Sequence, residues 1–181
     1  MKENKSEFLI VVTLTVFAMA TRILFNKLGF FNFNAVMATA LFAGAYLSKQ
    51  KFAVIIPVVA LFATDLYLGL YDWKLMGVVY LAFGLVIFFG QHYRENPTLL
   101  RWVTSVLGGS LSFFLLTNFA VWLFGDGTFY THTVEGLTKC FTMALPFYRN
   151  TILGDFTFSA VLFGAVELAR LRFGARETVV A

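Results

Sequence analysis

The sequence predicts an all-α integral membrane protein in which six transmembrane helices form one domain across residues 1–181. Hydrophobic residues make up 59% of the chain and charged residues only 13%, and the mean hydropathy is +0.78. Such a composition is far more apolar than that of a soluble domain. The length also fits six spans of about 20 residues, because a helix rises about 1.5 Å per residue across about 30 Å of hydrocarbon. The six apolar segments are 8–25, 35–47, 52–70, 75–89, 102–124 and 150–171.

The first segment can be interpreted in two ways. Lys2 and Lys5 precede an apolar run that reaches "AMA" at residues 18–20, a pattern that a cleaved signal peptide also shows. The run continues through residues 21–25 without a turn signal, and cleavage would leave an odd number of spans. We therefore interpret the segment as a transmembrane helix.

The second and fourth segments are short for a span. They must borrow flanking residues or be shielded by neighbouring helices. The second segment contains "AVMATALFAGA", in which Ala40 and Gly44 stand four residues apart. Small residues at this spacing allow close helix packing in membranes.

A short apolar stretch at residues 136–147 precedes the sixth segment. It contains Lys139 and is too short to span, so we expect a short interfacial or re-entrant helix that ends at Pro146. Arg149 would then mark the outer interface, and Asn150 would open the last span and cap its free N–H groups.

The lysines and arginines predict the orientation, because cytoplasmic loops carry an excess of these residues. With the N-terminus inside, nine of the 14 basic residues fall on the inner side. We expect a multi-pass protein of the cell inner (cytoplasmic) membrane with both termini cytoplasmic. The inner residues are Lys2, Lys5, Lys49, Lys51, Arg94, Arg101, Arg170, Arg172 and Arg176, and the outer ones are Arg22, Lys27, Lys74, Lys139 and Arg149.

Three polar residues fall inside the outer halves of different spans. Asp65 and Asp155 each lie five residues, about 7 Å, below the outer end of a predicted span, and Asn118 lies about 9 Å below another. Polar groups at such depth are costly in lipid and indicate a functional site. Thr151 and Ser159 flank Asp155 at four-residue spacing and extend a polar stripe along one face of the last helix. Alternatively, Asp155 only pairs with a cation, and the candidates are Arg22, Lys27 and Arg149.

The outer loops are rich in aromatic and amide side chains. The segments "GFFNFN", "YLGLYDWK" and "WLFGDGTFYTHT" follow the first, third and fifth spans. Each aromatic residue there can belong either to an interfacial aromatic belt or to a binding pocket. These loops and the polar layer together predict an outer cavity.

Several other classes of protein lack support. The basic residues are scattered at segment ends, which does not favour nucleic-acid binding. Cys140 is a lone cysteine, and His92 and His132 lie on opposite predicted sides, so neither a disulfide nor a metal or cofactor site is expected. No nucleophile elbow, P-loop or HExxH motif occurs. We expect no catalytic residues and no enzyme activity, although Asp65 and Asp155 leave a membrane enzyme as an alternative.

The chain resembles a known class of membrane protein in several stretches. These are "NFNAVMATALFAGAYL", "TDLYLG", "FFLLTNFAVW" and "GLTKCFTMALPFYRNTILGDF". They are similar to an uncharacterised bacterial membrane family often linked to the fold of the S components, the substrate-binding subunits of energy-coupling factor (ECF) vitamin transporters. The resemblance covers residues 22–171.

The resemblance implies an extracytoplasmic, high-affinity site for a vitamin or metal. It also implies partners on separate chains, namely a coupling subunit and two ATPases. Many S components dock the coupling subunit through an Ala-x-x-x-Ala motif in the first helix. Here Ala18 and Ala20 have Arg22 and Leu24 at the matching offsets, so the motif is absent.

We therefore predict a substrate-binding protein that captures a small, ring-containing nutrient for uptake. Thiamin, riboflavin, a biotin-like molecule and a corrinoid all remain compatible. A membrane scaffold whose polar layer is structural is the main alternative. Asp65 and Asp155 would bind a cation, hydroxyl or amine; Asn32, Asn34, Asn118 and Asn150 would orient the ligand; and Tyr67, Tyr71, Trp73, Trp122 and Tyr130 would stack on the ring or close over it.

Overall fold

The computed structural model describes residues 2–47 and 49–173, and these residues form six α-helices and no strand. Five of the helices are long and apolar enough to cross a membrane. The prediction of an all-α, multi-pass membrane protein is confirmed at this level. The helices are α1 (Lys2–Lys27), α2 (Val36–Tyr46), α3 (Gln50–Leu68), α4 (Trp73–Glu95), α5 (Leu99–Phe124) and α6 (Val134–Phe173).

Helix α2 is too short to span. Its 11 residues rise about 16 Å, roughly half of the hydrocarbon thickness. All of them are buried, and every other helix packs against α2. The predicted shielding by neighbours therefore explains how a short apolar helix persists here, and α2 forms the centre of the bundle.

Close backbone contact joins α2 to α4. A Cβ atom added at Gly44 would overlap the carbonyl oxygen of Ile87, and one added at Gly90 would overlap that of Leu41. Glycine at both positions lets the two helix backbones approach directly, as small residues do in membrane helix pairs. The prediction that Gly44 allows close packing is confirmed, and α4 is its partner.

The loop from α1 to α2 folds back into the bundle. The Ala35 backbone N–H donates to Thr21 Oγ1 at 3.1 Å, although Thr21 lies six residues, about 9 Å, before the end of α1. Asn34 Oδ1 accepts from the Val36 N–H at 3.0 Å and so satisfies one free N–H at the start of α2. Helix α2 therefore begins below the end of the bundle and leaves space above it.

Helix α6 is one continuous helix of 40 residues that contains Pro146. The predicted separate helix at 136–147 is wrong, and so is the assignment of Asn150 to a helix start. Helix α5 contacts α6 on both sides of the proline: Cys140 Sγ donates to the Asn118 carbonyl at 3.4 Å, and the Tyr148 ring lies 4.4 Å from that of Phe114. Such packing allows a helix to continue through a proline in an apolar medium.

Replacing Gly90 by alanine should destabilise the fold. The added methyl group would overlap the Leu41 carbonyl, and overpacking of this kind costs about 1–3 kcal/mol. Gly84→Ala on the same helix is the matched control, because a Cβ there meets nothing within 4 Å. The measurement is the thermal unfolding midpoint in detergent, which Gly90→Ala should lower and Gly84→Ala should leave unchanged or raise. Equal midpoints for the two variants would contradict the close contact.

Candidate functional site

A cavity of about 200 Å³ lies above the start of α2, and all six helices or their loops contribute to it. We call it the main cavity. Its wall combines apolar side chains with a few polar groups, which is typical of small-molecule sites. The lining residues are Arg22, Asn32, Asn34, Val36, Met37, Leu61, Tyr71, Val79, Phe83, Phe113, Thr151 and Asp155.

A second cavity of about 220 Å³, here the side cavity, adjoins the main one between α5 and α6. The two share Asn32, Phe113 and Thr151 in their walls. Asn118 lies in the wall of the side cavity and donates through Nδ2 to the Phe114 carbonyl at 2.8 Å. The shared residues therefore separate two spaces of similar size.

The recessed α1–α2 loop shapes the wall between the cavities. Asn32 has a φ of 66°, the left-handed region that non-glycine residues rarely adopt and asparagine tolerates best. Gly154 lets α6 approach the loop, since a Cβ there would lie 3.1 Å from the Asn34 nitrogen and 3.2 Å from the Phe33 Cα. Local backbone geometry thus places both asparagine side chains at the cavity.

An ion pair between Arg22 of α1 and Asp65 of α3 forms one side of the main cavity. Arg22 Nη2 donates to Asp65 Oδ1 at 2.6 Å, and Nη1 donates to the Leu61 carbonyl at 3.3 Å and to the Thr64 hydroxyl. Asp65 is only 1% exposed, and Arg22 supplies its counter-charge. The pair ties α1 to α3 and makes this side of the cavity electrically neutral.

Asp155 of α6 lies in a different environment. It is 2% exposed, and among the described residues it forms no ion pair. The Ser110 hydroxyl of α5 lies beside its carboxyl group, and Ser159 follows one helical turn later on the same face. Asp155 Oδ2 and Ser159 Oγ each lack a hydrogen-bond partner within the described part of the chain.

Tyr71, in the loop between α3 and α4, contributes a phenol to the wall. Burial raises its pKa to about 12; the Asp65 carboxylate adds to the shift and the Arg22 guanidinium opposes it. The phenol is therefore protonated throughout the physiological range. It presents a hydrogen-bond donor at the cavity.

Comparison with known proteins gives a family and no ligand. Residues 2–177 match the family model DUF6580, a family of unknown function. The chain belongs to the DUF6580 family. No curated protein and no solved structure matches it.

Six of the predicted site residues meet at the two cavities. Asn32, Asn34, Tyr71 and Asp155 line the main cavity, and Asn118 lines the side cavity. Asp65 reaches the main cavity through its bond to Arg22. The stripe of Thr151, Asp155 and Ser159 faces the bundle as predicted, because Asp155 and Ser159 are buried and Thr151 lines both cavities.

The structure places the other five predicted residues away from both cavities. Tyr67 and Trp73 are 59% and 75% exposed, and the ammonium groups of Lys27 and Lys74 lie over their rings. Trp122 Nε1 donates to the Thr131 carbonyl, and Tyr130 lies in the same α5–α6 loop. Asn150 Nδ2 donates to the Phe31 carbonyl at 3.1 Å, so it holds the α1–α2 loop against α6. The exposed rings fit an aromatic belt better than a pocket.

Sequence reasoning missed several residues of the main cavity. Arg22 was considered only as a partner for Asp155, whereas the structure pairs it with Asp65. Its position five residues before the end of α1, within an apolar helix, was the available signal. Phe83, Phe113 and Met37 carried no signal, because an apolar residue in a membrane helix does not reveal which face is lipid-exposed.

Removing the Asp65 carboxylate should destabilise the bundle strongly. Asp65→Ala leaves the Arg22 guanidinium without its counter-charge, which typically costs about 3–5 kcal/mol for a buried pair. Glu95→Ala is the matched control, because it removes a carboxylate from the exposed pair with Arg101 and should cost less than about 1 kcal/mol. Unfolding in detergent measures both. The double variant Arg22→Leu, Asp65→Leu should recover most of the loss, and a double variant no more stable than Asp65→Ala would refute the pairing argument.

The backbone at Asn32 provides a separate test of the loop. Asn32→Val should lower stability by about 1–3 kcal/mol, since a β-branched residue is strained at a φ of 66°. Asn32→Gly should be tolerated because glycine adopts this conformation freely. Asn96→Val, at an exposed position after α4 with a negative φ, is the control. If Asn32→Val and Asn32→Gly have the same unfolding midpoint, the left-handed conformation at this position is not required.

Proposed function

We propose that this protein captures a small nutrient from the extracytoplasmic side of the membrane for uptake. The observation that carries the proposal is the main cavity, where the deeply buried carboxyl group of Asp155 lines the wall together with amides, a phenol and aromatic rings and forms no ion pair with a described residue. Unsatisfied polar groups of this kind are costly in a membrane protein unless a ligand or water meets them.

The position of the cavity supports capture from outside. The main cavity lies at the end of the bundle that carries the α1–α2 and α3–α4 loops, because Asn32, Asn34 and Tyr71 are in its wall. The distribution of lysine and arginine predicts that this end is extracytoplasmic. A nutrient could therefore enter between the loops without crossing the bundle.

The size and chemistry of the cavities support a small molecule as the ligand. Two adjoining spaces of about 200 and 220 Å³ together suit a vitamin-sized molecule. Phe83, Phe113 and Met37 offer apolar contact, and the asparagines and Thr151 offer hydrogen bonds. Ring-containing nutrients fit such a mixture of surfaces.

The S-component arrangement of ECF transporters is the architecture that we propose for this capture. A coupling subunit and ATPases on separate chains would then supply energy. In this protein Ala18 is fully buried and Arg22 is bonded to α3, so both positions face the bundle. A coupling subunit would have to dock on another surface. Alternatively, this protein acts in uptake without a coupling subunit.

The two aspartates divide between structure and binding. Asp65 Oδ1 pairs with Arg22, while its Oδ2 atom has no partner among the described residues. The ion pair fits the scaffold interpretation of the polar layer. Asp155 does not fit it, because it forms no ion pair with any described residue. We therefore assign the ligand contact to Asp155 and a positioning role to Asp65, which places Arg22 at the wall.

Native mass spectrometry of the gently purified protein tests this function. We expect a retained small molecule, because a tight site keeps its ligand through purification. Asp155→Asn preserves shape and removes the charge, so it should lower retention at least tenfold. Asp126→Asn, in the exposed α5–α6 loop, is the control and should retain the ligand as the wild type does.

Three results would count against the proposal. An empty wild-type protein whose unfolding midpoint ignores a panel of vitamins and metals would favour the scaffold interpretation. A retained molecule that survives Asp155→Asn unchanged would place binding elsewhere. A chemically altered product after incubation with a vitamin would indicate an enzyme instead.

A further inference from the structure

The two buried aspartates near the main cavity differ in their cationic partners. Arg22 and Asp65 cancel each other through their direct bond at 2.6 Å. Asp155, in contrast, forms no ion pair with any described lysine, arginine or histidine. Lys27 and Lys74, the nearest basic residues along the chain to the α1–α2 and α3–α4 loops, lie instead over the exposed rings of Tyr67 and Trp73. The Asp155 carboxyl can therefore supply the counter-charge for one positive charge on a ligand.

Two buried serine hydroxyl groups lie near Asp155 on the protein side. Ser110 lies beside the carboxyl group, and Ser159 lies one turn away on the same helix. Each hydroxyl can donate a hydrogen bond to the carboxylate that forms when a cation binds. Charge-assisted bonds of this kind are about twice as strong as neutral ones.

Aromatic rings complete the wall on the other side. Phe83 of α4 and Phe113 of α5 pack edge to face with centroids 5.3 Å apart, and both line the main cavity together with Tyr71. Phe113 also lies one helical turn from Ser110 on α5, so the rings and the carboxylate end share one space. Aromatic faces attract organic cations and bind apolar rings, whereas a bare metal ion gains little from them.

We propose that the ligand of the main cavity is a small organic cation with one positive charge, held with its nitrogen at Asp155 and its apolar part against Phe83 and Phe113. This inference rests on the proposed function and narrows its substrate class. It selects thiamin-like cations over the neutral or anionic nutrients that the sequence leaves open. Helix α6 supplies the charge, and α4 and α5 supply the aromatic wall.

Three probes of similar size and different charge test the inference. Benzylammonium, benzyl alcohol and benzoate are titrated against the wild-type protein in detergent at pH 7, with binding followed by the unfolding midpoint and by calorimetry. We expect benzylammonium to bind at least tenfold more tightly than benzyl alcohol and benzoate to show no binding. This comparison needs no variant, so it stands even if a substitution prevents folding.

Two variants test whether Asp155 and Ser110 are responsible for the preference for the cationic probe. In Asp155→Asn the preference for benzylammonium over benzyl alcohol should fall to within twofold, while binding of the alcohol itself is kept. Ser110→Ala should weaken benzylammonium binding severalfold. Asp126→Asn is the control with an exposed aspartate and should keep the full preference.

Several outcomes would overturn the inference. These are equal binding of benzyl alcohol, tighter binding of benzoate, or stabilisation by sodium chloride alone at the same concentration. A neutral or anionic molecule retained in native mass spectra would also overturn it, although the proposed capture function would survive. An empty protein that ignores the whole vitamin and metal panel would remove the capture function itself.

Discussion

The packing of a half-length helix at the centre of the bundle is the constraint on which the structure depends. Helix α2 contacts all five other helices and is buried along its whole length. Glycine allows this close packing, because Gly44 and Gly90 let the backbones of α2 and α4 approach each other directly. Since α2 crosses about half of the hydrocarbon thickness, the remaining half contains the recessed loop and the main cavity.

The same constraint explains where the charged groups lie. The recessed loop meets α1 at Thr21, one residue before Arg22, so the guanidinium lies at the level of the cavity. Lipid at this depth does not tolerate an unpaired charge, and Asp65 on the neighbouring helix supplies the counter-charge. A buried pair of this kind contributes little net stability by itself, but it fixes the relative position of α1 and α3.

Hydropathy predicted the helices well, because length and polarity decide what can cross a bilayer. Depth along a helix was also predictable, so Asp155 and Asn118 were found from residue counting alone. The direction of a side chain around its helix depends on tertiary packing, which is why Phe83, Phe113 and the partner of Arg22 were missed. Pro146 failed as a stop signal because α5 supports α6 on both sides of it.

The two buried aspartates differ in one respect that supports the proposed function. Both are buried to the same degree, yet only Asp65 has a cationic partner within the described structure. A sequence under selection for stability alone would pair Asp155 or replace it, since an unpaired buried carboxylate costs several kcal/mol. A group that binds the folded protein and not the unfolded chain offsets such a cost by mass action. We therefore assign Asp155 to the proposed ligand, and the counter-charge that its carboxyl can supply is the reason for proposing a cation.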